Sequence, residues 1–196
     1  METWNHSWFL FLNAGADAPE WAMASSYIIA KRLIYLIPLL LAGLWLWGDQ
    51  RQRQVALQAL VTTAVALACN QAIGMLMPTA RPFELGLGVT LLDHAPTPSF
   101  PSNHLTIFCC LGLCLWRLRR WLGLSVLAVG LVVAWSRIYV GVHFPLDMVG
   151  AIAVAAIVTA LIWPVWKGCG LQITRILEHP YRWLFAYPIR RGWVKA

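Results

Sequence analysis

The chain has 196 residues, of which 60% are hydrophobic and 12% charged, and its mean hydropathy is +0.65. Soluble domains are about 45–50% apolar and about 25% charged, so this composition excludes an ordinary water-soluble domain and makes lipid the main solvent. The net charge of +7 then reads as loop charge that sets orientation, not as a nucleic-acid footprint.

Residues Met1 to Asn13 carry Trp4, Trp8, Phe9 and Phe11 without a basic leader or a cleavage site. They suit a short helix lying at a membrane interface, with a frayed terminus as the alternative, and not a cleaved signal. Five segments then approach the roughly 20 apolar residues of a spanning helix. They are Tyr27–Trp47, Val55–Met77, His104–Trp116, Trp121–Tyr139 and Leu146–Trp166, and the third is short unless it begins nearer Pro101. The expected fold is all-α: one membrane-embedded domain over residues 1–196, a polytopic bundle of about five transmembrane helices plus the N-terminal interfacial helix. No internal repeat is visible.

Breaks between these segments sort by charge. Arg51, Arg53, Arg117, Arg119, Arg120 and the tail with Arg175, Arg182, Arg190, Arg191 and Lys195 fall on one face. The positive-inside rule makes that face cytoplasmic. The proline-rich loop Pro78–Phe100 and the segment Arg137–Pro145 fall on the other, outer face. All five cysteines lack zinc-ligand or disulfide spacing and read as small packing residues.

At the outer face the helix ends bring together Arg81, Ser102, Asn103, His104, Ser136, Arg137, His143 and Asp147. Singly, such an arginine anchors at the interface and such a histidine is merely hydrogen-bonded. Each ionisable group near hydrocarbon costs about 2.5–3.5 kcal/mol, so placing five around one site argues for a purpose. Arginine offers phosphate a planar fork of donors and never loses its charge. Backbone amides at the start of the third helix, beside Ser102 and Asn103, form an anion site. Asp147 can take the N–H of His143 and leave the other ring nitrogen free as a nucleophile. His104 can protonate a leaving oxygen and then activate water. Carboxylates are too few and too scattered for a two-metal site, so no metal or other cofactor is expected. A transporter would place its polar groups near the midplane, often in repeats, which this chain does not do.

These residues resemble the signature of the type-2 phosphatidic acid phosphatase superfamily: Lys-x(6)-Arg-Pro, then Pro-Ser-Gly-His, then Ser-Arg-x(5)-His-x(3)-Asp. The third part is complete from Ser136 to Asp147. The second stands as Pro101-Ser102-Asn103-His104, with Asn103 for glycine. The first keeps Arg81-Pro82 but has Gly74 at the lysine position. The matched core spans about residues 70–150. The resemblance implies His143 as nucleophile, Asp147 as its orienting partner and His104 as acid/base. It implies Arg81, Ser102, Asn103 and Arg137 as phosphate ligands, with Ser136 alongside. Lys31 or Arg32 is the candidate to supply the missing cation, against a reading as interfacial snorkelling.

Within the superfamily the chain is similar to small bacterial undecaprenyl-diphosphate phosphatases, a similarity that includes Asn70-Gln71 and the Lys31–Leu40 stretch. That implies hydrolysis of the polyprenyl carrier diphosphate at the outer face of a bacterial plasma membrane, recycling the carrier used in cell-wall assembly. Its partners are then this lipid and the surrounding membrane lipids, not nucleic acid. A phosphatidate or phosphatidylglycerophosphate phosphatase, and a phosphotransferase to lipid A, remain open alternatives.

Overall fold

Lipid offers backbone groups no partners, so membrane-embedded segments satisfy their hydrogen bonds internally as helices. The computed structural model describes residues 2–196, and Met1 of the expected interfacial segment lies outside them. Helix α1 spans Glu2–Leu12. Helix α2 (Glu20–Arg32), a 3-10 turn (Leu33–Tyr35) and α3 (Leu36–Leu46) form one interrupted rod. The interruption precedes Pro38, which has no N–H to give the Ile34 carbonyl. Helix α4 (Gln50–Leu76) starts at a capping box: Asp49 accepts from the Gln52 amide, and the Gln52 side chain accepts from the Asp49 amide. Helices α5 (Asn103–Trp116), α6 (Arg120–Tyr139), α7 (Pro145–Leu184) and α8 (Ala186–Arg190) complete the chain.

Four rods are long and apolar enough to cross a membrane: Glu20–Leu46, Gln50–Leu76, Arg120–Tyr139 and Pro145–Leu184. The third expected span, α5, has only 14 residues. At 1.5 Å per residue it is about 21 Å long, short of a hydrocarbon core of about 30 Å. The reason is its position. Nine of its residues are buried, and α4, α6 and α7 surround it. A helix that meets protein on every side need not match the bilayer. Glycines let α6 come close: a Cβ on Gly123 would lie 2.5 Å from the Trp116 backbone, and one on Gly130 would lie 2.6 Å from Phe108 Cβ. Helix α7 departs the other way. Its 40 residues run past Trp166 for a total of about 60 Å, twice the hydrocarbon thickness.

The bundle has two different ends. At the basic end Arg53 is buried, pairs with Glu178 of α7 at 3.3 Å, and donates to the carbonyls of Trp45, Lys195 and Ala196. At the other end, α1 docks on the α6–α7 corner. Phe9 is buried against Phe144, with ring centroids 5.3 Å apart. The Asn13 amide donates to Val89 and Tyr139 carbonyls and accepts from the Val89 N–H, tying α1 to both the long loop and α6. Trp4, Trp8 and Phe11 of α1 stay exposed.

Candidate active site

The last turn of α6 carries Ser136 and Arg137, and the chain must then reverse to begin α7. Gly141 makes the turn at φ +85°, a left-handed conformation that side chains resist. A Cβ there would also lie 2.3 Å from the Val89 carbonyl oxygen. The reversal places His143 just before α7 and Asp147 one turn into it. His143 Nδ1 lies 3.0 Å from Asp147 Oδ2. The same carboxylate oxygen accepts the Phe144 amide at 2.8 Å and the Ser99 hydroxyl. Asp147 is thereby held as an acceptor, which puts the ring proton of His143 on Nδ1. Nε2 keeps its lone pair, and an N–H of Arg81 points at it from 3.3 Å. His143 is 2% exposed. Burial pushes its pKa down to about 4. Asp147 opposes that shift, while Arg137 and Arg81 add to it.

Arg81 lies in the loop after α4, and every N–H of its guanidinium is engaged. Nε donates to the Thr97 carbonyl, one terminal nitrogen to Thr97 Oγ1 and the Pro98 carbonyl, and the other to the Val142 carbonyl and His143. It therefore clamps the long loop onto the α6–α7 corner. Burial lowers its pKa, opposed by Asp147 and Glu84. Arg137 differs. It donates to the Ala30 carbonyl of α2 at 3.2 Å and lies 3.4 Å from His104 Nε2, but its buried Nε has no partner. Among the described residues, neither arginine has a carboxylate at salt-bridge distance. Two buried cations without anions make this end a strong anion attractor.

The start of α5 supplies neutral donors. Ser102 occupies the N-cap position without capping, and its Oγ is buried and unpaired. The first amides of α5 thus have no side-chain acceptor. Thr106 gives its hydroxyl to the Ser102 carbonyl and accepts from Asn70 Nδ2, which also donates to Asn103 Oδ1. This chain orients Asn103 so that its own amide N–H groups are uncommitted. Gly74 packs on Pro98; a Cβ there would sit 3.1 Å from Pro98 Cβ. The position that carries lysine in the resembled signature therefore serves close packing of the loop on α4.

Arg81, Asn103, His104, Arg137 and His143 all line one cavity of about 210 Å³, with Asn70, Gln71, His94 and Thr97. Ser102 and Asp147 stand directly behind it. Ser136 does not line it: its hydroxyl bonds the Val132 carbonyl of its own helix. Lys31 does not line it either. Its Nζ lies 2.6 Å from the Tyr27 hydroxyl, on the exposed side of α2. Ser99, Thr97 and Asn70 are the participants that sequence reasoning missed. Each acts through a contact distant in sequence, and only the proline-rich loop hinted at the first two. Among the described residues no three His, Cys, Asp or Glu side chains form a group that could hold a metal ion.

This arrangement can bind a tetrahedral phosphate, attack it with a neutral imidazole and leave a second histidine beside it, which defines a membrane-embedded phosphoryl-transfer site. The PAP2 superfamily model matches residues 55–170, and the chain belongs to that family. It is 39% identical to the putative undecaprenyl-diphosphatase YbjG of Escherichia coli, over the whole of this chain and 99% of that protein. It is 33% identical to the undecaprenyl-diphosphatase BcrC of Bacillus subtilis, over 66% of this chain and 67% of that one. A transmembrane PAP2-type phosphatidylglycerolphosphate phosphatase from Bacillus subtilis shares the fold, with a TM-score of 0.63 at 17% identity, covering 85% of this chain and 86% of that one.

Proposed function

We propose that this protein hydrolyses undecaprenyl diphosphate to the monophosphate and inorganic phosphate, and that all 196 residues form one lipid-phosphatase domain. The observation that carries a phosphate chemistry is Arg137: a buried guanidinium on the cavity wall with an unpaired Nε and no carboxylate. The named activities of two relatives, one matched along its whole length, supply the substrate class.

His143 Nε2 attacks the terminal phosphorus and the bond to the bridging oxygen breaks. Asp147 retains the Nδ1 proton in its hydrogen bond and stabilises the positive ring of the phosphohistidine. His104 then takes a proton from water, the resulting hydroxide attacks phosphorus, the P–N bond breaks to free phosphate and the neutral imidazole, and His104 gives its proton to the departing phosphate or to solvent. Arg81 surrenders its N–H on Nε2 to a phosphate oxygen as phosphorus arrives. Arg137, Ser102, Asn103 and the amides of α5 hold the other oxygens, and the two arginines supply the positive charge without a metal.

One contact favours a diphosphate over a phosphate ester. Arg137 can only donate, so the His104 Nε2 that faces it presents a lone pair, the form of a base. An alcohol leaving group resembles water, with a pKa of about 15.7, and needs an acid. A lipid monophosphate, with a second pKa of about 6, leaves without one. The site end is proposed to face outward, opposite the basic loops, in a bacterial plasma membrane.

Phosphate release from undecaprenyl diphosphate, phosphatidate and phosphatidylglycerophosphate, each with excess chelator, tests this reading. Preference for the diphosphate that survives chelation and disappears in His143→Ala is expected. Preference for a glycerophospholipid overturns the substrate; loss to chelator overturns the metal-free chemistry.

A further inference from the structure

His94 belongs to none of the three motif segments, yet it lines the same cavity as Arg81, Arg137, His104 and His143. It sits in the loop between the 3-10 turn Pro82–Leu85 and α5. Its Nδ1 lies 2.9 Å from the carbonyl of Ala95, its sequence neighbour. A carbonyl only accepts, so that contact puts the ring proton on Nδ1 and leaves Nε2 with its lone pair. Among the described residues, Nε2 has no hydrogen-bond partner.

Depth separates His143 from the other two histidines of the cavity, His94 and His104, which are both half-buried. His143 is 2% exposed and Arg81 4%, so the reacting phosphate must go to the buried floor. His94 is half-buried, nearer the mouth. A cavity of about 210 Å³ equals roughly seven waters' share of liquid volume, which leaves room beyond a single phosphate. For a terminal phosphate bound at His143, whatever it is attached to leaves through the less buried part of the cavity, whose lining includes His94 and His104.

We infer that His94 is a specificity-determining residue, whose Nε2 binds the second, non-transferred phosphate of a lipid diphosphate and so separates diphosphates from monophosphate esters. One proton lies between Nε2 and a phosphate oxygen. The inner phosphate of a lipid diphosphate is bonded through two of its oxygens and keeps no proton near neutral pH, so this proton comes from solvent as the anion arrives. Burial first, then Arg81 and Arg137, lower the pKa of free His94, with the Ala95 carbonyl opposing. A bound phosphate neutralises the field of the two arginines and lets the ring take that proton.

This inference deepens the proposed substrate, but it can be tested without the lipid. Inorganic diphosphate and inorganic phosphate are used as competitive inhibitors of whichever lipid phosphate the wild-type enzyme hydrolyses. The wild type is expected to bind diphosphate more tightly than phosphate. His94→Asn keeps a donor for the Ala95 carbonyl but deletes the group at Nε2. It is expected to weaken diphosphate inhibition about tenfold, the worth of one hydrogen bond to a charged group, and to leave phosphate inhibition unchanged. His94→Gln reaches the Nε2 position and is expected to restore most of the loss. Parallel weakening of both inhibitors, no weakening of either, or failure of Gln where Asn is impaired would each overturn the assignment. Should the wild type prefer a glycerophospholipid, the proposed function fails while the inhibitor comparison still decides the role of His94.

Discussion

As the proposed nucleophile, His143 reacts only as a neutral imidazole with Nε2 open, so the sign of its shift sets the expected pH range of activity. Its pKa in the folded protein, pushed down to about 4 by burial, lies below the ordinary value of about 6.5. The reactive form therefore persists as pH falls and is lost only near 4. After correction for the substrate's own ionisation, the acid limb of kcat/KM should fall near 4; a limb near 6.5 would contradict this. Asp147 holds the tautomer as well as the charge. Replacing the carboxylate that holds the histidine of a Ser-His-Asp triad by an amide costs about 10⁴ in rate through the wrong tautomer. Asp147→Asn is expected to lower kcat about 10³–10⁴-fold, with KM nearly unchanged. Ser99 touches Asp147 but not the cavity, so Ser99→Ala should cost about one charge-assisted hydrogen bond, roughly a tenfold drop in kcat.

Among the elements, α5 matters most because it is short, buried and presents Asn103 and His104 from its first turn. Its depth is set by close packing against α6 at Gly123 and Gly130. A valine at Gly130 would push into Phe108. Overpacking of this kind costs about 1–3 kcal/mol. A displacement of even 1 Å at the first turn can cost about 10²-fold in rate. Gly130→Val is therefore expected to lose activity more steeply than stability, as read by phosphate release and by chemical unfolding in detergent. The fourteen residues of α5 match the short third segment of the hydropathy reading, and its start at Asn103 leaves it short. Length is matched to lipid only where lipid touches the helix.

For the molecule as a whole, the bundle separates a catalytic end from a structural end. Arg53 and Glu178 join α4 to the far part of α7, and each is almost fully buried. Removing Arg53 leaves the buried Glu178 with only the exposed Arg182 beside it at 3.5 Å, and breaking a buried pair costs about 3–5 kcal/mol. Arg53→Ala should thus sharply lower the unfolding midpoint in detergent, and Arg53→Met with Glu178→Leu should recover much of it. The basic loops at this end predict a cytoplasmic C-terminus, which a fluorescent protein fused there would report by folding and glowing only in the cytoplasm.

Composition, the four long apolar rods and the charge on alternate loops were legible directly, because they follow from solvent and helix period alone. So was the gathering of Arg81, Ser102, Asn103, His104, Arg137, His143 and Asp147 at one end of the bundle, because three spaced motifs at helix ends carry them. Ser136 and Lys31 show where adjacency misleads. One spends its hydroxyl on its own helix and the other faces outward to Tyr27, choices set by side-chain direction and not by position in the chain. Ser99 and Thr97 entered the site only when the proline-rich loop folded back over α4 and α5, and Asn70 of α4 through its bonds to Asn103 and Thr106 of α5. Such contacts join residues far apart in the chain, so no local pattern encodes them. Sequence alone determined the solvent, the helices and the candidate groups; tertiary structure decided which nitrogen is free, which arginine lacks a partner and what else lines the cavity, because these depend on distances between separate elements.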